Sequence, residues 1–181
     1  MTDLTSEQKT YNRKVEGIKR YAATIEGKHM SEHRFTSAED AMTFLQAGNA
    51  IITIVSRKTE TRFTYRVKAC KENGRLFFVS VLAGPDNTSS YHYIGVISDG
   101  VFKHTRKSTV TADASCFKAF AWTYGQLSLG RLPDQLEVWH EGKCGRCGKT
   151  LTVPESIANG IGPECAKFTA HRPTTQLAMA V

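Results

Sequence analysis

Three cysteines near the carboxyl end are the residues of this chain best suited to do chemistry. Cys144 and Cys147 form a C-x-x-C pair, and Cys165 follows after the segment Gly-Ile-Gly-Pro-Glu. Two residues between thiolates allow a tight turn to present both sulfurs to one ion, and Gly148 supplies the positive φ that closes such a turn. Pro163 suits the first position of a helix, which places Cys165 where the helix dipole favours a thiolate. This pattern predicts a zinc knuckle with a treble-clef-like fold.

Tetrahedral zinc requires four ligands, and two histidines are candidates for the fourth. His140 precedes the C-x-x-C pair by four residues, and His171 follows the third cysteine by six. We favour His140, because His171 would require the helix to end or distort before its ring turned inward. An open fourth position would instead indicate a catalytic site with Glu141 or Glu164 as general base. A structural site is favoured, since the H-x-E…C-x-x-C order of zinc deaminases is missing.

The chain before the cysteines has the pattern of a helix-flanked antiparallel sheet. Five segments rich in β-branched and aromatic residues are separated by short turn-forming stretches, which predicts sequential antiparallel pairing. The predicted strands of the meander are residues 49–56, 60–69, 75–84, 90–98 and 101–108, and residues 131–142 are predicted to lead as a short strand into the cysteine segment. Apolar residues at helical spacing predict helices at residues 6–26, 37–48 and 112–130. The predicted fold class is therefore α+β, a five-stranded antiparallel meander flanked by helices and followed by the zinc knuckle.

Two finer features of these elements follow from side-chain chemistry. Ser37 is the predicted N-cap of the second helix, and Asp113 or Ser115 caps the third. The third strand is apolar on both faces, which is typical of a central strand that is covered on both sides. Its two apolar sets are Leu76, Phe78 and Leu82 on one face and Phe77, Val79 and Val81 on the other.

Shifts in composition and periodicity divide the 181 residues into four predicted parts. An N-terminal amphipathic helix occupies residues 1–30, and a helix-flanked sheet domain spans residues 34–139. A zinc-finger-like domain follows at residues 140–171, and residues 172–181 form a flexible tail without periodicity.

The charge balance favours a polyanionic partner. Lys and Arg number 24 against 17 Asp and Glu, which gives a net charge of +7. Basic residues of the predicted strands and turns would form one electropositive surface if their strands are neighbours, namely Arg57, Lys58, Arg62, Arg66, Lys68, Lys103, Arg106 and Lys107. Tyr91, His92 and Tyr93 would offer stacking platforms for unpaired bases. The alternative is that alternating Arg and Thr only solvate the outer face of a half-buried sheet.

Other classes of protein find little support in the sequence. No stretch of about 18 apolar residues indicates a membrane helix, and the polar N-terminus lacks the apolar run of a secretory signal. We therefore expect a cytoplasmic protein. Cys70 and Cys116 are isolated and are predicted to be buried hydrophobic side chains. The chain has no nucleophile elbow, phosphate-cradling glycine loop or H-E-x-x-H motif, so we do not expect an enzyme.

The cysteine segment resembles a small zinc-finger-like domain of unknown function found in phage, plasmid and actinobacterial proteins. That domain has the pattern C-x-x-C-G-[RK]-x-L-T-x-P-x-S-I-x-x-G-I-G-P-x-C. The positions that match are Cys144, Cys147, Gly148, Lys149, Leu151, Thr152, Pro154, Ser156, Ile157, Gly160, Ile161, Gly162, Pro163 and Cys165. The upstream region also resembles the companion segment of longer members, which extends the resemblance to about residues 34–167. The resemblance implies a zinc-binding accessory protein of a mobile element and carries no assigned activity.

Together these observations predict a zinc-stabilised, non-enzymatic accessory protein of a phage or other mobile element that binds nucleic acid, DNA in particular. It would act in the cytoplasm of the host cell. A protein-interaction module that inhibits a host enzyme or defence system is the alternative, with a host nucleic-acid-handling protein as its partner. A small zinc enzyme that acts on nucleic acid is the less favoured third hypothesis. The sequence does not indicate an oligomeric state.

Overall fold

Six antiparallel strands form one sheet in the computed structural model, which describes residues 33–169. The strands are β1 (Asn49–Ser56), β2 (Thr61–Ala69), β3 (Leu76–Leu82), β4 (Tyr91–Ser98), β5 (Val101–Lys103) and β6 (Leu136–His140). Their order in the sheet is β5-β4-β3-β2-β1-β6. The α+β class and the antiparallel sheet are confirmed. The predicted helix at residues 6–26, His171 and the tail at residues 172–181 lie outside the described residues.

The sixth strand corrects the prediction of a five-stranded meander. β6 pairs antiparallel with β1, with Ile52 opposite His140 and Ile54 opposite Val138. Side chains of β6 are alternately buried and half-buried, as expected for a strand with one face on the core. The chain thus returns after its last long helix to the edge of β1 that the meander leaves unpaired.

The fifth strand is shorter than predicted and ends at Lys103 rather than at residue 108. The following residues form a turn, in which the backbone N–H of Ser108 donates to the Thr105 carbonyl at 3.0 Å. The Ser108 hydroxyl also accepts from the backbone N–H of Thr105 at 3.2 Å. A Ser side chain that satisfies a nearby backbone N–H stabilises a turn at the expense of the strand ladder.

Two longer helices precede and follow the meander, namely α1 (Ala38–Leu45) and α2 (Ser115–Ser128). The predicted cap of α1 is confirmed, because the Ser37 hydroxyl accepts from two backbone N–H groups of the first turn. The predicted cap of α2 was wrong. Its N-cap is Ala114, which makes no side-chain cap hydrogen bond, and the Asp113 carboxylate is hydrogen-bonded to Thr111 instead.

The helices cover one face of the sheet, which we call the inner face. The Tyr65 ring lies 5.0 Å from the Phe120 ring of α2, and its hydroxyl donates to the Cys116 carbonyl at 2.7 Å. Phe102 of β5 also contacts α2 through its ring, which lies 4.9 Å from the ring of Phe117. Buried aliphatic residues of β1, β2, β3, β4 and β6 fill the space between these contacts.

The opposite face, which we call the outer face, carries the residues that alternate with these core positions. On β2 they are Arg62, Thr64, Arg66 and Lys68. On β3 they include Phe78, which is 42% exposed. The prediction that both faces of β3 are covered was therefore wrong at Phe78, although Leu82 of the same set is buried.

Two short helices complete the described chain, namely α3 (Pro154–Asn159) and α4 (Pro163–Thr169). None of the helices within residues 33–169 is long and apolar enough to cross a membrane.

Candidate metal centre

The fold brings the three cysteines of the predicted site together. The Sγ atoms of Cys144, Cys147 and Cys165 all lie within 4.8 Å of one another. Cys144 and Cys165 are buried, while Cys147 is exposed. The three thiols are therefore close enough to bind one metal ion, although Cys165 is far from the other two in sequence.

A tight turn presents the first two thiols. The backbone N–H of Gly148 donates to the Cys144 carbonyl at 2.9 Å, and the N–H of Cys144 donates to the Lys149 carbonyl at 2.8 Å. Gly148 has φ +76°, as its position after the C-x-x-C pair predicted. A left-handed residue closes this turn without steric cost only when it is glycine.

Helix α4 presents the third thiol. Pro163 is its first residue, as predicted, so Cys165 lies in the first turn. The preceding helix α3 ends at Gly160, which has φ +70°. The Gly160 carbonyl then accepts from the backbone N–H of Gly145 at 3.0 Å. This backbone hydrogen bond joins the cysteine turn to the segment that leads into α4.

The electrostatics of the three thiols favour the ionisation of one of them and oppose the ionisation of all three together. Burial opposes ionisation of Cys144 but is outweighed by hydrogen bonds to its sulfur, chiefly from the backbone N–H groups of Cys147, Gly162 and Arg146. The pKa of Cys144 is therefore lowered to about 7. The pKa of Cys165 is raised, because this thiol is buried and lies beside the other two thiols. Repulsion between neighbouring thiolates is removed when a cation binds them, so this donor set fits a metal ion.

The chemistry of the donors narrows the choice of metal. Thiolates are soft ligands that select zinc, copper(I) or iron–sulfur clusters over calcium and magnesium. Backbone N–H groups that donate to a ligand sulfur stabilise its charged form, as the lowered pKa of Cys144 shows. Among residues 33–169, no fourth His, Cys, Asp or Glu joins this group.

Arg146 is a neighbour of the thiols that the spacing argument did not identify. Its Nη1 lies 4.0 Å from the Cys165 Sγ, and its guanidinium carbon lies 4.3 Å from the centre of the Phe168 ring. The guanidinium lowers the pKa of Cys165 and so opposes the effect of burial. Its position between the two cysteines of the pair was visible in the sequence, but its approach to a third cysteine depends on where α4 lies.

His140 does not lie with the thiols in this structure. Its Nε2 donates to the Ile157 carbonyl at 2.7 Å, and its Nδ1 accepts from the backbone N–H of Gly142 at 3.1 Å. A carbonyl only accepts, so Nε2 carries a proton. Nδ1 accepts a hydrogen bond and therefore carries none, so the ring is the neutral tautomer with its proton on Nε2. Both nitrogens are therefore occupied, and the geometry gives no support to His140 as the fourth ligand.

The His140 ring instead belongs to an aromatic cluster that joins the cysteine segment to the sheet. It lies 5.2 Å from the Phe35 ring, 5.4 Å from the Phe44 ring and 5.0 Å from the His33 ring. Its burial lowers its pKa to about 4, and the nearby His33 acts in the same direction. This residue fixes where the chain leaves β6 for the cysteine turn.

The ring of Phe44 packs between the two backbone segments that carry the thiols. A Cβ built on Gly145 would lie 2.7 Å from Phe44 Cδ2, and a Cβ on Gly160 would also collide with this ring. Both glycines are thus required by close approach rather than by flexibility alone. Cys144, Leu151 and Cys165 consequently belong to the same hydrophobic cluster as the sheet.

The structure also places the basic residues predicted to bind nucleic acid. Lys103, Val96, Phe78 and Lys68 form one row across four strands of the outer face, since each is the register partner of the next. Arg62 and Arg66 lie on the same face of β2. The remaining predicted residues lie in turns and loops at the ends of strands, and these are Arg57, Lys58, Arg106 and Lys107. Arg57 forms an ion pair with Glu137 of β6.

Comparison with known proteins finds a match only for the part of the chain that contains the three cysteines. Residues 135–167 match a family of unknown function, DUF6011. The match includes all three thiols and begins just before β6, so the predicted resemblance of the cysteine segment to a domain of unknown function is confirmed for these residues. No curated protein and no solved structure matches this chain.

The buried neutral His140 predicts a pH dependence of stability. Between pH 6.5 and about 4 the unfolded chain binds a proton at this ring that the folded chain does not, so stability falls as the pH drops through this range. We expect wild type to lose on the order of 2–3 kcal/mol more than a His140→Gln variant over this range. Urea unfolding at several pH values measures the difference, and any loss of metal at low pH affects both proteins. Parallel stability curves would show that the ring is not buried in its neutral form.

Proposed function

We propose that this chain is a non-enzymatic nucleic-acid-binding protein whose bound metal is a structural zinc ion. The observation that carries the proposal is the set of basic side chains on the outer face of the sheet, opposite the helices. Lys68 and Lys103 lie at two positions of one cross-strand row, and Arg62 and Arg66 lie on the same face of β2 as Lys68. Cationic side chains on one face neutralise phosphates of a nucleic acid and release its counterions.

The distribution of acidic residues also supports nucleic-acid binding by the outer face. Among the outward-facing positions of the six described strands, Glu137 is the only carboxylate. It lies on β6 at the far edge of the sheet from Lys103, and it forms ion pairs with Arg57 and Arg34. The rest of the outer face therefore presents positive charge without carboxylates between its basic side chains.

The zinc ion would act as a structural clamp in this proposal. Cys144, Cys147 and Cys165 would hold it, and its charge would neutralise their thiolates and fix α4 against the cysteine turn in a treble-clef-like arrangement. Of the two histidines that the sequence offers as the fourth ligand, His140 is hydrogen-bonded elsewhere in this structure, and His171 lies outside the described residues. Resemblance of the cysteine segment to domains of phage and plasmid proteins supports an accessory role in a mobile element.

Binding to the outer face is tested with charge variants and a salt series. We expect wild type to shift labelled DNA at about 50 mM salt, where phosphate contacts are strongest. A Lys68→Gln/Lys103→Gln variant should bind more weakly, and its slope of log K against log salt should be smaller by about 2. Lys118→Gln is the matched control for the single variant Lys68→Gln, because it removes the same one charge and Lys118 is exposed on α2 at the inner face of the sheet.

Two results would contradict the proposal. Absence of any shift by wild type with single-stranded and double-stranded DNA and RNA at low salt would remove nucleic acid as the partner. An equal loss in the Lys118→Gln control would show that binding reflects net charge and not the outer face.

A protein-interaction module is the second candidate, and an exposed stripe on α2 favours it. Trp122 is 44% exposed, and Leu129, seven residues later and just past the end of the helix, is 60% exposed. Residues seven apart lie on the same side of a helix, and grouped exposed apolar side chains mark protein contacts more often than isolated ones do. Such a module would inhibit a host enzyme or defence system.

The second candidate is tested by capture from nuclease-treated host lysate. A stoichiometric protein partner should survive nuclease and be lost with a Trp122→Ala/Leu129→Ala variant, while the Lys68→Gln/Lys103→Gln variant retains it. Capture that depends on intact nucleic acid, or that is indifferent to the α2 variant, would count against this candidate.

A further inference from the structure

Phe78 is an unusual residue for its position in the sheet. It lies in the middle of β3, an interior strand with a paired neighbour on each side, yet it is 42% exposed. Burying a phenylalanine side chain contributes about 1.5–3 kcal/mol, so an interior strand that exposes one gives up part of this stabilisation. Phe78 is grouped with the half-buried Val96 and Tyr93 on this face, and grouped apolar side chains at a surface mark binding sites more often than isolated ones do.

Lysines flank this ring along the row that crosses the outer face. Lys68 is the direct register partner of Phe78 on β2, and Lys103 is two strands away on the other side, beyond Val96. Neighbouring strands are about 4.8 Å apart, so the two lysine backbones are separated by roughly 14 Å with the ring between them. Both lysines are exposed.

A second aromatic ring stands beside the first and is held in place. The Tyr93 ring lies 6.3 Å from the Phe78 ring and is tilted by 59° to it, so the two rings are not stacked face to face. The Thr105 hydroxyl donates to the Tyr93 hydroxyl at 3.1 Å, and the backbone N–H of Thr109 donates to the Tyr93 carbonyl at 2.9 Å. A ring fixed in this way loses little entropy when a ligand stacks on it.

Arg66 of this face contacts a third aromatic ring, that of Tyr91. The Arg66 guanidinium lies 4.1 Å from the centre of the Tyr91 ring, and its Nη1 donates to the Thr88 carbonyl at 3.1 Å. These contacts hold Tyr91 and the loop before β4 in position. Arg66 therefore positions an aromatic ring, while Lys68 and Lys103 supply the exposed charge.

We propose that the outer face binds single-stranded nucleic acid, with an unpaired base stacked on Phe78 and with phosphates contacted by Lys68 and Lys103. This inference rests on the proposed function and specifies its substrate class. Exposed aromatic rings between cations favour an unpaired strand, because its bases have free faces while the bases of a duplex are stacked on one another. Positive charge around the rings argues against an apolar protein surface as the occupant.

The test compares a labelled single strand of ~12 nucleotides with a hairpin duplex of the same sequence, by fluorescence anisotropy at about 50 mM salt. Wild type should bind the single strand more tightly. Phe78→Ala should weaken single-strand binding about 5-fold to 150-fold, which corresponds to the 1–3 kcal/mol of one stacked base, and should leave duplex binding within about twofold.

A matched variant separates stacking from packing. Phe78→Tyr keeps an aromatic face and should keep single-strand affinity within about threefold of wild type, since tyrosine also stacks on bases. Phe78 is 42% exposed and contacts Tyr93, so Phe78→Ala should lower the thermal unfolding midpoint only modestly. Loss of affinity in both variants, or a large drop in that midpoint, would show a structural role and overturn the inference.

The remaining outcomes distinguish this inference from the proposed function. If neither nucleic acid binds, the proposed function fails, and the inference fails with it. If the duplex binds as tightly as the single strand and Phe78→Ala changes neither, nucleic-acid binding stands while single-strand stacking is overturned. If Phe78→Ala instead converts an oligomer into a monomer in light scattering, the outer face is a contact between copies of the chain.

Discussion

Three thiols within 4.8 Å of one another impose the constraint on which the carboxyl-terminal part of this structure depends. Three thiolates at this separation repel one another, and burial of two of them increases the cost of their charge. Backbone N–H groups directed at Cys144 stabilise the charge of this one thiolate, and a bound cation would neutralise the charge of all three. Gly148, Gly160 and Pro163 set the turns and the helix start that allow the sulfurs to converge.

The cysteine segment is also part of the larger core. Phe44 of α1 lies between Gly145 and Gly160, and His140 packs against Phe44 and Phe35. Loss of a metal ion from the three thiols would therefore disturb the packing of α1 and β6 as well as the cysteine turn. On the other side of the sheet, the outer face carries basic and aromatic side chains over the same strands. The inner face thus packs against the helices, while the outer face is the surface that we propose for binding.

Local patterns in the sequence predicted the cysteine turn, the cap at Ser37 and four of the six strands closely, because each depends on residues that are near neighbours in the chain. Other features depend on distant segments. The pairing of β6 with β1 joins residues 80 to 88 positions apart, and the burial of His140 depends on Phe35 and Phe44. The exposure of Phe78 follows from which face the helices cover, and its apolar neighbours in sequence indicated the opposite.

The most direct test of the central claim is the metal content of the purified, untagged protein, measured by elemental analysis together with protein concentration. The account predicts about one equivalent of zinc per chain in wild type and a large loss of that zinc in a Cys144→Ser variant, because thiolates are the ligands of such sites. The matched Cys116→Ser variant, whose thiol lies in α2 away from the cluster, should retain the metal. Wild type with substantially less than one equivalent, or a Cys144→Ser variant that keeps its full content, would contradict the account.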